Sequence, residues 1–530
     1  MRGPIAALCL CMLLHATRGS ALPIATQWQV DGVPVCSLAG SQNASAVVSD
    51  GAGGAILAWT DGRNGPAVVY AQRLLPNGAA DPTWPHDGLL ICTEPHEKGW
   101  VAMCPDGSGG AYLTWMDTRN GATDVLTGNV DIYLQRITGA GAIAPGWPTE
   151  ALAVCTAPER QRFPSLIPDG TGGVLLAWED NRNGSASIYN SGIYAQHVTS
   201  SGQLVQGWPQ DGQLLCAVPS QASAFGVSLA SDSVNGFIAT WMDNRGSGGN
   251  EFDIYATRLA PTGVRALGWP ANGVCVCNAA SIQSSPRIVS DVAGGAFIVW
   301  EDYRFGGSNV TVFAQHILAD GTMAAGWPVN GLGVCNIPYC HYPNSLIADD
   351  CGGFIVSWED TRSGYYKDVY AQRVNAGGSL ATGWIQDGVP TSRAPIDQLS
   401  STLVRDGSGG AYVTWVDLRK HDYNDYDLYW SHVLSSGQID PAIATDGLPL
   451  CVAPSWQFAT CGVSDGRGGA IFAWSDARNT STTGDCDVYA QKIGPGDQPT
   501  GTLVSLVSVS SEGARVDIVW YSSELMGAGV

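Results

Sequence analysis

Charge is scarce in this chain. Charged residues make up 14% of 530, against roughly 25% in an average soluble domain. Basic residues are scarcer still: 26 Lys and Arg stand against 47 Asp and Glu, a net charge of −21. That balance repels a phosphate backbone and argues against a nucleic-acid partner. After the first 21 residues, no apolar run approaches the roughly 18 residues of a membrane helix, so no transmembrane segment is expected. There is no Cys-x-x-Cys pair to suggest a zinc site. Metalloprotease, nucleophile-elbow, phosphate-loop and dinucleotide fingerprints are also missing.

What is present points elsewhere. The 67 Gly, 29 Pro and 19 Trp argue against coiled coils and helical arrays. The aromatic and β-branched content is enough to bury a large core, which argues against disorder. Residues 1–21 read as a secretory signal, with Arg2, the apolar stretch Ile5 to Leu14, and small residues at Gly19, Ser20 and Ala21. A secreted, extracellular or cell-surface location is therefore expected.

Repetition settles the architecture. Trp-x-Asp-x-Arg occurs eight times, at Trp59, Trp115, Trp178, Trp241, Trp300, Trp358, Trp415 and Trp474. Nine residues before each Trp, an Asp opens an Asp-Gly-x-Gly-Gly-like turn, from Asp50 to Asp465. Downstream comes a strand resembling Val-Tyr-Ala-Gln-Arg, then a Trp (once Ile443), then a Cys (once Ser392). The first unit holds four apolar runs, Ala46–Ser49, Ala55–Trp59, Val68–Leu74 and Leu89–Cys92. Four short strands per repeat, punctuated by glycine turns, are the mark of a propeller blade. The last unit lacks its Trp and Cys, while Trp28 and Cys36 precede the first unit. The prediction is an all-β, eight-bladed propeller over residues 22–494, closed by the N-terminal strand in the last blade. Residues 495–501 read as a linker, and 502–530 as two strands around a Ser-Glu-Gly turn.

This combination of repeats and tail resembles the β-propeller repeat proteins of bacterial secretomes, with the start of an immunoglobulin- or fibronectin-like sorting module. The resemblance covers residues 28 to about 494. It implies the architecture and carries over no functional residue.

Length variation locates the candidate function. The distance from the repeat Trp to the strand-three aromatic runs 11, 18, 16, 14, 13, 12, 14 and 15, while the other spacings are nearly fixed. Variable connections between strands two and three, gathered on one face of a rigid scaffold, suit binding. Blades five to seven place Tyr303, Phe305, Tyr365, Tyr366, Tyr423 and Tyr426 there, side chains fit to stack on sugars or dock a protein. The expected function is a non-enzymatic binding propeller for a glycan or protein. The alternatives are a glycosidase or lyase at the channel mouth, with His421, Asp422 and Asp425 as acid/base groups, and a purely structural or adhesive element.

The repeated Asp and Arg read as structural ties. Calcium is the one cofactor the turns suggest, and a single Asp among glycines offers it too few oxygens; no metal or cofactor is expected. The repeated cysteines read as small buried hydrophobes, and Cys461 with Cys486 is the one disulfide candidate.

Overall fold

The computed structural model describes residues 28–494 apart from 122–123, 127, 184–190, 218–221, 247–250, 308, 338–339, 421–424 and 480–484. Beyond these it gives the backbone of an antiparallel hairpin, Val504–Glu512 with Arg515–Ser522. His421, Asp422 and Tyr423 lie outside the described residues.

The chain forms eight four-stranded antiparallel sheets. Blade one runs Gln42–Ser49, Ala55–Asp61, Val68–Leu74 and Leu89–Leu90. Its first strand begins four residues earlier than the apolar pattern suggests, and its last is two residues long. The equivalent first strands are Lys98–Pro105, Gln161–Pro168, Ala224–Ser231, Gln283–Ser290, Cys340–Ala348, Gln398–Arg405 and Gln457–Ser464. Each first strand lies against those of the two neighbouring blades, so together they form the inner ring. Blade eight ends with Val33–Cys36 paired to Asp487–Ile493, which closes the ring as predicted.

Polar ties repeated in every blade hold the frame. The Asp of each turn accepts backbone N–H bonds from residues two and four places on, as Asp50 does from Ala52 and Gly54. Its second oxygen meets a strand-three basic side chain: Arg73 in blade one, His197 in blade three, Lys492 in blade eight. Burial opposes ionisation, but these bonds outweigh it and hold Asp106, Asp169, Asp291, Asp406 and Asp465 below the usual carboxylate range. The second repeat Trp reaches across seven of the eight seams, donating its indole N–H to a carbonyl of the next blade at 2.8–3.0 Å, from Trp28 to Pro76 through Trp384 to Ser435; blade seven has Ile443 there.

The opposite face is locked by the Trp-x-Asp-x-Arg unit. Each Trp indole donates to Asp Oδ2 two residues on, at 2.8–3.2 Å. Each Arg pairs with that Asp and lies 3.6–4.1 Å over the strand-three ring. In seven blades the same guanidinium touches the repeat Cys of the preceding blade, as Arg63 does Cys36 at 3.1 Å and Arg478 does Cys451 at 3.0 Å. The ring Asp and Arg are therefore inter-blade fasteners.

Burial pushes the thiols of Cys36, Cys92, Cys155, Cys216, Cys277 and Cys451 up, which keeps them inert. Cys335 departs from the expectation of free hydrophobic cysteines: it is disulfide-bonded. The suggested Cys461–Cys486 bridge does not form, since both thiols are free.

Candidate functional site in the channel

The inner strands do more than pair. In six blades the third residue of the inner strand has a positive φ and sits in a register shift: Trp100, Phe163, Gly226, Ser285, Ser400 and Ala459, with φ between 53° and 67°. A bulge adds one residue and re-aims its neighbours. Each inner strand starts at the face carrying the strand two to three loops, so these third residues ring the channel mouth on that face.

Most of them are small. Counted as six residues before the turn Asp, the position holds Ala44, Gly226, Ser285, Pro343, Ser400 and Ala459 in blades one, four, five, six, seven and eight. Blades two and three place Trp100 and Phe163 there, two large rings in edge-to-face contact with centroids 4.6 Å apart. Trp100 is 57% exposed. A bulky residue with positive φ is an outlier that costs on the order of 1–2 kcal/mol, and outward exposure recovers little of that cost.

Behind the bulge lies the residue between Trp and Asp of the repeat. Its side chain accepts the bulge N–H of the next blade: Ser475 Oγ from Ala44, Met116 sulfur from Phe163, Glu179 from Gly226 at 2.8 Å, and Glu359 from Ser400 at 2.9 Å. Blade six offers Pro343, which has no N–H, and Glu301 there accepts from Ser284 Oγ at 3.0 Å instead. Only blades three, five and six carry Glu at this position. Burial pushes Glu179 up to about 7, opposed by the Gly226 hydrogen bond and by Arg162, which lies 3.6 Å away.

These groups share a cavity of about 610 Å3. It is lined from blades two to five by Trp100, Phe163, Ser165, Glu179, Ser285 and Arg287, among others. The volume falls within the range of small-molecule sites, roughly 300–1,000 Å3. Arg287 occupies an inner-strand position that is Ala46, Ala102, Ser165, Ser228, Ser345, Thr402 or Cys461 in the other blades. Its Nε donates to the Pro343 carbonyl at 2.7 Å. The wall around it depresses its pKa by desolvation, with Glu301 as the opposing charge.

The residues singled out in the sequence lie elsewhere. Tyr365 is 90% exposed and meets Tyr366 edge-on at 5.4 Å. Phe305, 57% exposed, packs at 6.4 Å against Phe313. Tyr303 is half-buried, and Tyr426 stacks on Trp456 at 5.8 Å. Asp425 pairs with Lys420 at 3.0 Å. None of these residues lines the cavity. The signal for the cavity was repeat-breaking: Trp100 fits neither repeated Trp position, and Arg287 replaces a small residue.

Fold and site together define an eight-bladed β-propeller with a channel cavity on its loop face. No family model matches the chain, and no curated protein matches it. Solved structures similar to it include the polysaccharide lyase Uly1, at 10% identity over 86% of this chain and 91% of that one, TM-score 0.43. A protein of unknown function from Dyadobacter fermentans is similar at 12% over 65% and 97%, TM-score 0.36. The α-L-arabinanase of Penicillium chrysogenum is similar at 14% over 67% and 98%, TM-score 0.35. These likenesses concern the fold alone.

Proposed function

We propose that this protein is a secreted, non-enzymatic binding propeller that receives a glycan or protein ligand in the channel cavity between blades two and five. The observation that carries the reading is Trp100. It is a large aromatic side chain, exposed in a strained backbone conformation, at a position where six blades manage with small residues. The frame has no need of it, since the bulge forms equally with Ser400 or Ala459. Strained residues concentrate at functional sites, and exposed aromatics are favoured binding anchors. The loop aromatics Tyr365, Tyr366 and Phe305, on the same face, are the outer part of this surface.

A glycan array compared between wild type and Trp100→Ala tests the reading. Wild type should bind, and the variant should bind at least about tenfold more weakly at nearly the same melting temperature. Equal binding by the variant would remove the channel as the site; loss only in Tyr365→Ala or Tyr366→Ala would move it to the loops.

One observation favours the enzymatic alternative. Glu179 lines the cavity with its carboxyl held up at about 7 by burial, the range suited to a proton donor. Cleavage of bound glycans that disappears in Glu179→Gln would replace the binding reading with that one.

A further inference from the structure

Arg287 differs from the repeated cations of the frame. The Arg of each Trp-x-Asp-x-Arg unit is neutralised by its Asp, and the strand-three cations by the turn carboxylates. Among the described residues Arg287 has no ion pair, and its one hydrogen bond uses Nε. That bond occupies Nε and leaves both terminal nitrogens, four N–H donors, without a hydrogen bond among the described residues, on a side chain that lines the cavity. The nearest opposing charge, Glu301, acts on it at a distance and is itself bonded to Ser284.

A guanidinium anchored by Nε and open at its two terminal nitrogens matches a carboxylate in bidentate geometry. The remaining wall is of two kinds. Trp100 and Phe163 offer aromatic surface, and Ser165, Ser228 and Ser285 bring polar side chains. Aromatic surface beside hydroxyls suits a sugar ring, whose C–H face is apolar and whose edge is polar. We propose that the channel cavity binds an acidic sugar, a uronate unit of a polysaccharide, with its carboxylate on Arg287 and its ring against Trp100. Glu179 opposes this little, because Arg162 lies 3.6 Å from its carboxyl and burial raises that carboxyl to about 7. The proposal rests on the cavity being the binding site and adds the class of ligand.

Calorimetric titration with oligogalacturonate, oligoguluronate and hyaluronan fragments, and with the carboxyl-reduced form of each, tests it at physiological salt. At least one uronate series should bind wild type and lose tenfold or more on carboxyl reduction. Arg287→Gln should lose a similar factor for that uronate and none for the reduced sugar. Arg287→Lys should recover only part, since an ammonium lacks the planar fork. If reduced sugars bind as well as uronates and Arg287→Gln changes nothing while Trp100→Ala still abolishes binding, the acidic-sugar inference falls and the channel site stands. If Trp100→Ala is silent, both fall. Binding of no uronate at all, or binding shared with poly-glutamate and gone at physiological salt, also overturns the inference.

Discussion

The inner walls of blades two and three and of blades seven and eight are built on the same bulge, yet they differ in what they present. Trp100 and Phe163 stand where Ser400 and Ala459 stand, with φ of 53°, 53°, 53° and 55°. The backbone irregularity therefore belongs to the frame, and only the side chain belongs to the site. Eightfold repetition measures what the fold requires, and departures from it mark what the fold does not require.

The largest expected effect comes from cutting into the frame. Asp302→Ala should destabilise the protein by about 3–5 kcal/mol in chemical denaturation, because it leaves the buried Trp300 indole and the half-buried Arg304 without their partner. A loss below about 1 kcal/mol would mean that the fasteners are decorative and that the contrast with the wall has no energetic content.

Glu179 probes the boundary between the two regions. Its carboxyl sits at about 7 in the folded protein against an ordinary 4.5. Between those values the folded state holds a proton that the unfolded chain releases. Its stabilising contribution is thus complete below about 4.5 and is lost as pH rises through 7. Relative to Glu179→Gln, wild type should lose on the order of 3 kcal/mol across that window; parallel stability curves would sink the assignment. Asp131, Asp253 and Asp427, held up near 6 chiefly by burial, act in the same direction.

The smallest effect sharpens the comparison most. Ser400→Gly should stabilise by about 1 kcal/mol, since glycine relieves the positive φ without removing a large contact. The same change at Trp100 should leave stability almost level and remove binding.

The ring of eight blades and its N-terminal closure were legible because each repeat restates the same turn and strand signals. The cavity was not. The apolar pattern starts the inner strand at Ala46, whereas the strand starts at Gln42. The omitted residues correspond to the segment that bulges, and a bulge interrupts the alternation by which a strand is recognised. The loop aromatics stand out in the sequence instead, because their spacing varies from repeat to repeat. Arg287 sits in a strand, and its spacing does not vary.

The closing strand has a consequence for how the molecule comes into being. Asp31 and Arg478 are joined across 447 residues, and Gln29 and Gln491 across 462. In an open array each repeat answers only to its neighbours, and its ends can fray. Here the earliest-made strand has no seat until the last blade exists, so assembly must end with a long-range closure, the slow kind of step. Once that clasp shuts, no blade is terminal, and opening any one seam strains the whole circle.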